Sequence, residues 1–296
     1  MDKLTIGQTI SQYYQILPPL EADILISETI KKSREFILTH PQFCLSDAQS
    51  RRLQKLAQQR LEGEPIAYLI KKQEFYGLTF YVNKRVLIPR PETEILVERA
   101  LEFALPQKML TVVDVGTGSG CIIITLAHLL QKQKKIDFKK WELIGLDIST
   151  AALKVARRNA RAHQLDKYIN FKQGNLLKPL KKLPQHMLIT ANLPYLTPQQ
   201  FRQSPSIQSE PKLALVGGKD GLKYYRQLLQ ELSRLKYTSL KWAAFLEIDP
   251  SQKNTIIALV KKYCPNSELS FYADLSGYCR VIKIVNVTKT ATLRSQ

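Results

Sequence analysis

Over residues 1–73 the apolar positions recur at helical spacing, as at Ile26 and Ile30, and turn signals punctuate the pattern. Three helices are predicted. IGQTISQYYQIL at 6–17 stops at Pro18-Pro19, EADILISETIKKSREFIL at 21–38 stops before Pro41, and a third starts at a Ser46 cap and stops at Gly63. At Phe75 the period changes: FYGLTFYVN alternates and VLIPRPE follows, which predicts a β-hairpin linker over 74–90. The next stretch, PETEILVERALEFAL, reads as a helix with Pro91 in its first turn and acids where the macrodipole favours them.

From Leu110 onward short apolar runs alternate with helical patterns. The expected strands are LTVVDV, ELIGLD, INFKQ, HMLITAN, KWAAFLEI, ELSFYAD and YCRVIKIV, with helices at 119–131, 150–163, 221–236 and 251–264. Alternation of this kind predicts an α/β domain over 91–288 with a mostly parallel, doubly wound sheet. The last two strands have too little chain between them for a helix, so they should pair antiparallel. Residues 289–296 are expected to be a frayed tail. In such sheets ligands bind beyond the carboxyl ends of the strands, where the candidate residues below fall.

Composition narrows the picture a little. A chain of 296 residues has room for two domains. Its four cysteines form no CxxC pair and adjoin no histidine cluster, so neither a metal site nor a disulfide framework is expected. The N-terminus lacks the apolar run of a signal peptide, and no run reaches the roughly 20 apolar residues of a membrane span. A cytoplasmic monomer is the expectation. The formal charge of +19, from 44 Lys+Arg against 25 Asp+Glu, favours an acidic partner or nucleic acid, but lysine spread over helix surfaces gives the same number. The densest basic runs, at 131–140 and 177–184, fall where loops are expected.

Candidate chemistry begins at VVDVGTGSGCIII. Asp114 ends a strand, and Gly116, Thr117, Gly118, Ser119 and Gly120 form a tight turn into a helix. A dinucleotide fingerprint would need glycine where Cys121 stands, and a triphosphate loop would need Lys-Ser/Thr after the glycines. What remains suits a ligand carrying positive charge. Asp147 ends the next strand, placed to accept from a ribose diol. Each aspartate alone could equally cap a helix. As an ordered pair on consecutive strands they point to S-adenosyl-L-methionine, with Asp114 near its methionine end and Asp147 on its ribose.

The strand HMLITAN then runs into Asn192-Leu193-Pro194-Tyr195. Methyl transfer from a sulfonium is an in-line displacement, so the enzyme must hold its nucleophile close and aligned. An amide nitrogen is a poor nucleophile because its lone pair is delocalised. The Asn192 oxygen and the backbone carbonyl of Leu193 could hold its two N–H groups. Pro194 would stiffen the bend and Tyr195 would stack on a planar substrate group. In isolation the same four residues could be a cap, a turn and a packed ring.

With these pieces in order, the chain resembles the HemK-like (PrmC-type) N5-glutamine methyltransferases that modify peptide chain release factors. The resemblance is carried by GEPIAYLIKKQEFYGLTFYVNKRVLIPRPETE at 63–94, DVGTGSG at 114–120, GLDIS at 145–149, ANLPY at 191–195 and SEPKLALVGGKDGL at 209–222. It implies a class I S-adenosylmethionine-dependent fold, Rossmann-like with a seven-stranded mostly parallel sheet, behind a helical substrate-docking domain. It also implies that a glutamine in a Gly-Gly-Gln tripeptide of a release factor is the methyl acceptor. The Asn, Pro and aromatic roles pass to Asn192, Pro194 and Tyr195. Cofactor contacts pass to Gly116–Gly120, Asp147, Asn175, Leu176 and Asn192 itself. Two positions depart from the family pattern: Leu193 replaces a proline, which should loosen the loop, and Asn175 replaces an acid. Asn-Leu-Pro-Tyr is also the form in ribosomal-RNA adenine-N6 methyltransferases, which keeps a nucleic-acid substrate as the alternative. A non-catalytic binding protein on the same fold is the third reading. The long segment before Asp114 and IPRPETE favour the glutamine enzyme.

Overall fold

A computed structural model describes residues 3–107, 110–133, 137–180, 184, 186–234 and 241–286. The tail expected to fray lies outside them, as do residues 134–136 and 181–183 of the two basic runs. The chain divides into two compact units, Met1–Lys72 and Gln73–Gln296.

The smaller unit is helical: α1 (Ile6–Tyr13), α2 (Pro19–Ile30), α3 (Arg34–Thr39), α4 (Asp47–Leu61) and α5 (Ile66–Ile70). Thr5 with Gln8, and Ser46 with Gln49, form capping boxes that satisfy the first free N–H groups of α1 and α4. One helix predicted over 21–38 is instead two. Lys31 adopts a left-handed conformation (φ 60°) that ends α2, and the Ser33 side chain caps α3. α1 is likewise shorter than the pattern, which runs on to Leu17. Ile6, Leu25, Ile26, Ile37, Leu45 and Leu53 are buried together in this unit's core. The buried Asp23 there accepts from Tyr14 Oη and Arg34 Nε, both at 2.8 Å.

The larger unit opens on a hairpin of β1 (Lys72–Phe75) and β2 (Leu78–Tyr81), turned by Tyr76 and Gly77, both at positive φ. Such a pair of left-handed residues matches the twist of the flanking strands. Phe75 and Phe80 are buried in the same core as Leu96, Val97 and Ile123. VLIPRPE is not strand but an irregular segment entering a 3₁₀ turn at Pro91–Thr93, which leads into α6 (Glu94–Ala104). Glu94 reaches back to accept from the Tyr76 N–H at 2.7 Å, fastening the hairpin turn to α6.

Seven strands follow: β3 (Thr111–Val115), β4 (Glu142–Asp147), β5 (Ile169–Gln173), β6 (His186–Ala191), β7 (Lys241–Glu247), β8 (Ser267–Ala273) and β9 (Cys279–Asn286). They form one sheet in the order β5-β4-β3-β6-β7-β9-β8. The first five are parallel, and β9 runs antiparallel to both β7 and β8. Between strands lie α7 (Cys121–Gln131), α8 (Thr150–Ala162), α9 (Pro198–Arg202), α10 (Lys212–Leu215), α11 (Lys223–Ser233) and α12 (Lys253–Tyr263). Side chains of α6, α7 and α8 share a core on one face of the sheet, and those of α11 and α12 share another on the opposite face. Covered on both sides, β3 is buried along its length, which is why its sequence is valine apart from Thr111 at its start and the single acid Asp114. Chain order reverses around β3, so the loops after β3, β4 and β6 diverge and leave a crevice at their carboxyl ends.

Candidate active site

Register sets the site. Asp114 sits opposite Gly145 on β4 and Thr190 on β6. Its two carboxylate oxygens accept from the Thr117 hydroxyl at 2.7 Å and the Thr190 hydroxyl at 2.8 Å. The group is fully buried, and burial pushes its pKa up to about 6 against the pull of those two donors. Asp114 therefore braces the glycine turn from beneath and does not face the crevice. Asp147, the last residue of β4, does face it. One oxygen accepts from the Gly118 N–H at 2.9 Å and the other from the Ser149 N–H at 2.8 Å. Burial raises this carboxyl above its ordinary value too. Gly120 has φ 82°, and a β-carbon there would stand 2.8 Å from Ile124 Cδ1 and 3.3 Å from Ala156 Cβ. Glycine at this point lets α7 start against α8.

The crevice is lined by Gly116, Thr117, Gly118 and Ser119 after β3, by Asp147, Ile148 and Ser149 after β4, and by Gly174, Asn175 and Leu176 after β5. Asn192, Leu193 and Pro194 after β6 close one side, and Arg85–Leu87, Pro89, Arg90 and Thr93 close another. Of the residues singled out from the sequence, Asp114, Gly120 and Tyr195 lie outside this lining. Tyr195 is half-buried and packs against the core around Tyr225 and Leu246. Burial pushes its phenol well above the ordinary range, with the nearby Glu247 carboxylate adding to it.

Leu193 is not the loosening element its replacement of proline suggests. Only 3% of it is exposed, and its side chain packs over the α-carbon of Gly116, where a β-carbon would be 3.3 Å from Leu193 Cδ2. Its carbonyl oxygen lies 3.1 Å from the hydroxyl of Tyr225, which is also 2.5 Å from the Glu247 carbonyl. The loop continues into a parallel bridge between Leu196 and Val216, so the segment after α10 runs alongside it.

Four residues without an assigned role in the sequence pattern hold this arrangement. The Asn192 side-chain amide donates to Thr93 Oγ1 at 3.0 Å, and the Thr93 hydroxyl donates to Glu247 Oε2 at 2.6 Å. Glu247 ends β7, and burial lifts its pKa to about 7. Glu210 accepts from the Ile88 N–H at 3.0 Å and pairs with Arg90, joining SEPKLAL to IPRPETE. Tyr225 is the fourth. A signal did exist for Glu247: it is a single acid that ends the apolar run Trp242–Leu246. No group of three or more metal-ligating side chains occurs among the described residues.

Comparison with known proteins decides the family. Residues 8–70 match the PrmC N-terminal domain, and residues 106–195 match a methyltransferase domain. The release factor glutamine methyltransferase of Dictyoglomus turgidum is 36% identical over 268 residues, covering 90% of each chain. That of Bacillus cereus is 33% identical, covering 88% of this chain and 90% of its own. The chain belongs to the release factor glutamine methyltransferase family. Among solved structures, the human METTL16 catalytic domain in complex with the MAT2A 3'UTR hairpin 1 aligns with a TM-score of 0.57 at 12% identity, over 89% of this chain and 92% of that one. At that identity the likeness extends to the fold alone. The sheet order, with β9 antiparallel between β7 and β8, is the class I methyltransferase architecture that the resemblance implied.

Proposed function

We propose that this chain transfers a methyl group from S-adenosyl-L-methionine to the side-chain amide nitrogen of a glutamine in peptide chain release factors. The observation that carries the reading is that Asn192, Leu193 and Pro194 line the same crevice as the glycine turn, in a chain 36% identical to a release factor glutamine methyltransferase. The cofactor fits the residues present. At Gly118 a β-carbon would find only the Gly116 carbonyl oxygen at 3.8 Å, so a ligand can approach the backbone closely. Each Asp147 oxygen accepts one backbone N–H and keeps a lone pair for a ribose hydroxyl. Ile148 and Leu176 supply apolar surface for the adenine, with Asn175 at its edge.

When bound, S-adenosyl-L-methionine supplies an electrophilic methyl group on a sulfonium. The chain's own residues position the acceptor. Asn192 Oδ1 and the Leu193 carbonyl accept the two N–H groups of the glutamine amide, which orients its nitrogen and favours pyramidalisation as it attacks. Pro194 holds the bend, and Tyr195 anchors it from the core side. The helical segment 1–73 is assigned to docking the protein substrate, and the working unit is a cytoplasmic single chain. A nucleic-acid acceptor is the lesser reading, because the relatives that match over most of the chain carry the release factor name.

Purified chain incubated with methyl-labelled cofactor should label a release factor but not a factor whose Gly-Gly-Gln glutamine is replaced. Equal label on both, or label released by nuclease, would overturn the assignment.

A further inference from the structure

We infer that Thr93 and Glu247 form a positioning relay that fixes which way the Asn192 amide faces. The inference rests on the reading of Asn192 as the holder of the substrate amide. A side-chain amide is nearly symmetric in shape but not in chemistry. One end accepts and the other donates, so a half-turn about its last bond would present an NH2 group to the substrate's NH2 group. Something must forbid that half-turn.

Asn192 Nδ2 donates to Thr93 Oγ1 at 3.0 Å. A hydroxyl alone cannot enforce this, because it can donate as readily as it accepts. Its direction is set one bond further on. An ionised carboxylate only accepts, so the Thr93 proton is committed to Glu247 Oε2 at 2.6 Å. Thr93 then has only lone pairs to offer Asn192, Nδ2 must take them, and Oδ1 is left for the crevice. Thr93 and Glu247 are each only 2% exposed. Water has little access to take over either role.

The relay converts the charge of Glu247 into the orientation of Asn192. Around Glu247 stand Glu92 on the turn before α6, Tyr195 after β6, Tyr225 on α11, Asp249 after β7, Arg280 on β9 and Cys121 on α7. Burial, with Glu92 adding to it, disfavours the charged form, whereas the Thr93 donor, Arg280 and the Tyr195 hydroxyl favour it, and the balance places its titration near neutrality, at about 7. A protonated Glu247 can donate to Thr93, which frees the Thr93 proton to turn toward Asn192 and admits the reversed amide. Turnover should therefore be lost as pH falls through this range.

The test measures single-turnover methyl transfer to a release factor between about pH 5.5 and about pH 8.5, with cofactor affinity by calorimetry. Asn192→Ala should lose most of the rate while binding cofactor normally. Thr93→Val should lower kcat by about tenfold or more with little change in cofactor affinity. Thr93→Ser, which keeps the hydroxyl, should recover most of that loss. Glu247→Gln should be slower and lack the acid limb near neutrality. If Asn192→Ala is inactive while Thr93→Val and Glu247→Gln stay within about twofold of the parent at every pH, the relay is wrong and the reading of the site survives. If Asn192→Ala is as active as the parent, the reading beneath it fails. Should Glu247→Gln not fold, the contrast between Thr93→Val and Thr93→Ser decides, and equal losses in both count against the relay.

Discussion

Gly217 lies so close to the carbonyl oxygen of Pro194 that a β-carbon on Gly217 would stand 2.2 Å from it. Both sides of this contact are backbone, and the Gly217 N–H donates to the Leu196 carbonyl at 2.9 Å, so neither can swing aside. Gly217→Ala should lower stability by about 1–3 kcal/mol, in the range of overpacked cores, and slow methyl transfer by moving the bend that carries Asn192. Urea unfolding and a rate measurement check this; a variant matching the parent in both would contradict it.

The Asp114 carboxyl makes stability depend on pH in an unusual direction. Its pKa in the folded chain is raised from 3.8 to about 6 by burial, so the folded state holds its proton more tightly than the unfolded one. The resulting stability is fully present below the unfolded value and is lost as pH rises through about 6, a change of about 3 kcal/mol from this group. Stability at about pH 4 minus stability at about pH 7.5, both from urea unfolding, should be smaller for Asp114→Asn than for the parent. An identical difference in both chains would refute it.

Glu210→Ala should leave the Ile88 N–H without its acceptor and Arg90 without its counter-charge. The Arg90 side chain is one-third exposed and water takes over part of its role, so a loss of about 2 kcal/mol is expected. Because residues flanking these contacts line the crevice, cofactor affinity should fall with stability. Calorimetry showing unaltered affinity would separate IPRPETE from cofactor binding.

Tyr225→Phe removes the hydroxyl shared between the Leu193 and Glu247 carbonyls. The site is buried, so an unfolding cost of about 1–2 kcal/mol is expected. On the proposed reading, in which the Leu193 carbonyl is one of the two acceptors, the rate should fall more than cofactor affinity does. Stability indistinguishable from the parent in denaturant titration would argue against the bond.

The sheet was legible in the sequence because its strands are covered on both faces and their apolar runs end in polar residues at the carboxyl edge. ELIGLD and INFKQ coincide with β4 and β5 residue for residue. The break after Ile30 was not legible: Lys31, Lys32 and Ser33 suit a helix surface, and nothing in a lysine marks a left-handed conformation. Within the site, residues at strand ends announced themselves by position. The pairing of Thr93 with Glu247, 154 residues apart, is a product of tertiary packing that no local spacing encodes. Tyr195 shows the converse, since its place beside Pro194 suggested a ring turned to substrate, whereas the core claims most of it.

The loop after β6 is stitched along its length: Leu193 over Gly116 and under the Tyr225 hydroxyl, Pro194 against Gly217, Leu196 bridged to Val216. A segment fastened at that many points has already given up its conformational freedom before any substrate arrives. The entropy of ordering it is charged to folding, so the docking free energy of a protein substrate is not drained by loop closure. Discrimination between a glutamine amide and a longer or shorter side chain then becomes a matter of reach into a rigid notch.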